Sequence, residues 1–119
     1  MRVRLFSLLV ILVAGAGAEP ASGTEKLRMA VSPSVSFAPA IVRVRFNIER
    51  HADNRMLHVA VESDSYFRSS TIQIDGNDGP ATVSLVYESL PPGEYVIAGF
   101  LMDASQHNRA VAHRETTVY

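Results

Sequence analysis

An all-β sandwich of seven antiparallel strands is the fold class this sequence predicts, and three observations carry the prediction. Beyond residue 26 the apolar residues recur with a period of two rather than 3.6. Clusters of Asp, Asn, Gly and Pro interrupt that alternation about every 8 to 12 residues. After residue 26 no segment keeps a helical repeat over three turns.

The chain opens differently. Arg2 and Arg4 precede an apolar run from Leu5 to Val13, which passes into the small residues Ala14-Gly15-Ala16-Gly17-Ala18. Cations, an apolar stretch and small residues in that order make a secretory leader. The run is shorter than the roughly 20 residues a bilayer span needs. Residues 1–18 are therefore expected to be cleaved after Ala18, with Ala14-Gly15-Ala16 as a second register, and the mature form to have no membrane span. Residues 19–26 are small and polar and read as a flexible lead-in to a single domain over 27–119.

The strands follow in order. The first lies in 27–38, where Pro33 and Pro39 mark an edge strand that can switch sheets. The second, 41–50, alternates most cleanly: Val42, Val44, Phe46 and Ile48 share one face, and Arg43, Arg45, Asn47 and Glu49 the other. The same rhythm gives strands near 56–62, 70–75, 81–88 and 94–102, with Leu57, Val59, Val61, Ile72, Ile74, Val83, Leu85 and Tyr87 facing inward. Residues 110–119 alternate only in part and form the last strand. His51 to Arg55 and Asp75 to Pro80 supply turns, the second through Asp-Gly pairs that tolerate positive φ.

Seven such strands in about 100 residues match the immunoglobulin-like pattern. Leu90-Pro91-Pro92-Gly93-Glu94-Tyr95 adds a local motif. It resembles the turn that enters the sixth strand of immunoglobulin-like, fibronectin-like and carboxypeptidase-regulatory-like domains. The resemblance implies that Leu90, Gly93 and Tyr95 form a structural corner, with the Tyr95 hydroxyl bonded to backbone just upstream and Gly93 at a turn position suited to positive φ. It implies nothing about activity, because sandwiches carry unrelated functions.

Composition narrows the function. Without residues 1–18 the chain holds nine Lys or Arg against twelve Asp or Glu, so no basic surface large enough for nucleic acid is expected. There is no cysteine, which excludes disulfides, thiol catalysis and thiolate metal sites. No nucleophile elbow, phosphate loop or rigid carboxylate pair appears. The chain is expected not to be an enzyme and to need no cofactor.

Two groups of residues are candidates for binding. In an immunoglobulin-like order, the turns after the second, fourth and sixth strands meet at one end of the sandwich. They would bring together His51, Asp53, Asn54 and Arg55, then Asp75, Asn77 and Asp78, then Asp103, His107 and Arg109. Hairpin tips are also polar simply because they are solvated. The Asp75 stretch lacks the acidic twelfth position of a helix-loop-helix calcium loop, which falls on Val86. The His51–His58 and His107–His113 spacings are too wide for a paired imidazole site, and no metal ligand set is assigned. The second group is Tyr66, Phe67 and Arg68, in the connection between the third and fourth strands. Aromatic and Arg side chains there can anchor a partner, or one ring can plug the end of the core. The reading is an exported, periplasmic or extracellular, non-catalytic module that binds a protein, glycan or envelope component. The alternative is a small periplasmic carrier or metal-binding protein using the polar loop end.

Overall fold

The computed structural model describes Ser22, Gly23 and residues 26–119. The leader expected over 1–18 lies outside the described residues. Strands dominate: β1 (Ser22–Gly23), β2 (Leu27–Ser32), β3 (Val35–Ser36), β4 (Ala40–Ile48), β5 (Met56–Ser63), β6 (Tyr66–Gln73), β7 (Thr82–Leu90), β8 (Gly93–Met102) and β9 (Asn108–Val118). A single 3-10 turn, Gly76–Asp78, interrupts them among the described residues. No helix among these residues is long and apolar enough to cross a membrane.

Two sheets result, one ordered β1-β2-β4-β7 and the other β3-β9-β8-β5-β6. Among the described residues seven strands have six or more residues, and two-residue pieces at β1 and β3 bring the total to nine. The all-β sandwich is as the alternation predicts, with five differences in detail. The flexible lead-in contains β1, whose backbone pairs with β2. The 27–38 strand is two, because Pro33 has no N–H to continue the ladder. Its second half, β3, crosses to the other sheet, as Pro33 and Pro39 predict, but pairs with β9 in parallel, so the sandwich is not wholly antiparallel. The fourth strand begins at Tyr66 rather than near 70, since Ser63 pairs directly with Tyr66 around a two-residue turn. The last begins at Asn108 rather than 110.

The core lies between the sheets. Val42, Val44, Phe46 and Ile48 of β4 face Leu57, Val59 and Val61 of β5 and Tyr95, Ile97 and Leu101 of β8, all buried. Arg43, Arg45 and Asn47 point to solvent, as expected. Phe46 needs a hollow in the opposite sheet, and Gly99 provides it: a Cβ built there would lie 2.3 Å from Phe46 Cε1. Glycine inside a strand is tolerated where another group approaches this closely.

Candidate functional site

The loops β4–β5, β6–β7 and β8–β9 do meet at one end, and the reason is Asn54. Its side chain is fully buried, at 0% exposure. Asn54 Nδ2 donates to the Glu49 carbonyl at 2.9 Å, and Asn54 Oδ1 accepts from Arg109 Nη1 at 2.6 Å. The Asn54 carbonyl accepts from the Gly76 amide at 3.0 Å and from Arg55 Nη1 at 2.8 Å. One residue thus ties all three loops, satisfying the polar groups that its burial removes from water. Arg109 reaches it through an irregularity in β9: Leu101 pairs with Ala110 but Met102 with Asn108, leaving Arg109 as the extra residue. Bulges commonly re-aim a side chain in this way.

The other residues named at this end stay at the surface. His51 Nδ1 accepts from the Asp53 amide at 3.0 Å, and both side chains are exposed. Asp75 and Asp78 are exposed on either side of Gly76, whose φ of 52° supports the expected positive-φ turn. His107 is exposed, and its amide donates to Asp103 Oδ1 at 2.9 Å, as does that of Ser105. The His107 bond is the main cause holding the Asp103 carboxyl below its ordinary range. A shallow depression of about 250 Å³ lined by Asp53, Arg55, Asp103, Ala104 and Ser105 lies between these turns. Among the described residues no three His, Asp or Glu side chains converge in metal-binding geometry.

Tyr66 and Arg68 lie at the opposite end, on edge strand β6 rather than in a loop. Tyr66 packs edge-on against Tyr95, ring centroids 5.7 Å apart, and partly plugs the core. Arg68 is exposed but near enough to the Tyr87 phenol to favour its ionisation, against the larger effect of burial. Leu90 and Tyr95 are buried, and Tyr95 Oη donates to the Pro91 carbonyl at 2.5 Å, the bond the corner motif implies. Gly93 differs from expectation. Its φ is not in the left-handed region, and a Cβ there would meet Ser63 and Tyr95 at an ordinary 3.5 Å. The left-handed residue at this corner is Ser89, with φ 59°.

A further surface escapes the turn-centred reading. On the outer face of the five-stranded sheet, register aligns Phe67, Glu62, Val96 and Glu115 in one row, Ser69, Ala60, Ala98 and His113 in the next, then Thr71, His58, Phe100 and Val111. Phe67 is 65% exposed, Val96 44% and Val111 42%. The signal was present in Gly93–Met102, whose residues apart from Glu94 are apolar in both phases of the alternation.

No protein-family model matches the chain, and no curated protein matches it in sequence. Solved structures resemble it in shape. The superoxide reductase (neelaredoxin) from Ignicoccus hospitalis superposes with a TM-score of 0.58 at 11% identity, over 82% of this chain and 83% of that one. The PmoD soluble domain from Methylocystis sp. (Rockwell) gives 0.51 at 14% identity, over 78% and 90%. At such identities the likeness is one of fold, and the chain is a small all-β sandwich of the kind these proteins share.

Proposed function

We propose that the chain is an exported, non-catalytic interaction module with an immunoglobulin-like strand order, docking on a protein partner through the outer face of its five-stranded sheet. The observation that supports this is the exposed apolar surface made by Phe67, Val96 and Val111 around Ala60, Ala98 and Phe100. Apolar surface of this kind, interrupted by Glu62 beside Phe67 and bordered by Glu115, His113, His58 and Thr71, is uncommon on a chain that works alone. Four adjacent strands, β6, β5, β8 and β9, offer a rigid, pre-shaped platform, which lowers the ordering cost of binding. The polar loop end is the weaker candidate, since Asn54, Arg55 and Arg109 are engaged in holding the loops to one another.

Val96→Asp combined with Val111→Asp tests the reading. Both positions are exposed, so the fold should persist with an unchanged circular dichroism spectrum. Cross-linked capture from an envelope extract should be lost in the variant and kept in the parent chain. Equal capture by both would overturn the assignment of this face.

A further inference from the structure

The four-stranded sheet turns a different outer face to solvent. Register places Arg28 beside Asn47 and Thr82, Ala30 beside Arg45 and Ser84, and Ser32 beside Arg43 and Val86. Arg43 and Arg45 project on the same side of β4, about 6.6 to 6.8 Å apart along the strand. Arg28 extends the row diagonally on β2. All three are exposed, and none has a hydrogen bond or ion pair with another described residue. Arg50, Arg55 and Arg109 behave differently, each donating to a carbonyl or amide oxygen of the chain. Small neighbours leave a depression of about 350 Å³ whose lining includes Ala30, Ser32, Arg43, Arg45, Ser84 and Val86.

Guanidinium groups in a row, with no partner among the described residues, on a chain whose charge is otherwise acidic, suit an anion with repeated charges. Guanidinium forks match carboxylates bidentately. The hydroxyls of Ser32 and Ser84 stand beside them, as does the Asn47 amide, whose Oδ1 accepts from Thr82 Oγ1 at 3.3 Å while its Nδ2 can still donate, and these groups match a ligand rich in hydroxyls. No aromatic ring lies on these rows to stack a nucleobase or seat in a bilayer interface. We propose that this trough binds a linear carboxylated polysaccharide, with Arg43 and Arg45 holding successive carboxylates and the flanking side chains exchanging hydrogen bonds with sugar hydroxyls.

The face is opposite the one proposed for protein docking, so each can fail alone. Isothermal titration of the purified chain with polygalacturonate should show binding that Val96→Asp with Val111→Asp leaves unchanged. Arg43→Gln with Arg45→Gln should weaken it about tenfold or more, the scale of one lost charge-assisted bond. Arg43→Lys with Arg45→Lys should weaken it less, keeping charge but losing the fork. Raising salt from about 50 to about 500 mM should cost at least about tenfold. The proposal is overturned by absence of binding, by unchanged affinity in the folded Gln variant, by equal binding to poly-glutamate, or by preference for phosphatidylglycerol vesicles.

Discussion

The phenol of Tyr95 is buried and bonded to Pro91 O, so its loss is measurable without disturbing the ring. Tyr95→Phe should lower the unfolding free energy by about 1 to 3 kcal/mol, because the carbonyl loses its partner. Urea denaturation checks this, and a change below about 0.5 kcal/mol would mean that water replaces the phenol. Burial raises the Tyr95 pKa. The bond's contribution is therefore complete below the unfolded phenol's pKa of about 10 and is lost as the pH climbs past it. The sequence makes this corner legible because donor and acceptor are four residues apart. Asn54 was legible only as a polar turn residue. Its guanidinium partner is 55 residues away, and composition does not distinguish an amide facing solvent from one that joins loops.

At the scale of elements, β4 is readable in full because it is central and half-buried: its pattern is strictly alternating. Strand β6 is not, because an edge strand covers the core only in part. Its inward row Tyr66, Arg68, Ser70 and Ile72 mixes polar and apolar side chains, so the alternation alone places its start four residues late. The contact of β8 with β4 through Gly99 and Phe46 was hidden for another reason: a missing side chain carries no hydrophobic signal. Gly99→Ala should cost about 1 to 3 kcal/mol, as the methyl group drives the Phe46 ring from its place. Adding Phe46→Leu to it should cost less than the sum of the two single changes, since both act on the same space. Full additivity in thermal unfolding would show that the ring and the glycine do not meet.

For the whole molecule, the pairing of residues 33–38 with residues 116–119 is decisive. Thr116 Oγ1 donates to Pro33 O, the Thr117 amide to Ser34 O, the Tyr119 amide to Ser36 O and the Ala38 amide to Tyr119 O. Val118 is buried beside them. Ending the chain at Glu115 removes these four bonds, each about 0.5 to 1.5 kcal/mol, and the burial of Val118, about 1.5 to 3 kcal/mol. The loss of about 4 to 9 kcal/mol rivals the 5 to 15 kcal/mol typical of a domain. The shortened chain should lack a cooperative urea transition at 25 °C, and a transition matching the full chain would show that β3 is dispensable. The parallel β3–β9 pair also sets a schedule. A polypeptide made from its N-terminus at about 5 to 20 residues per second holds residues 33–38 without their partner for on the order of several seconds. Until β9 is complete, β3 has no strand to pair with, and the five-stranded sheet lacks that edge.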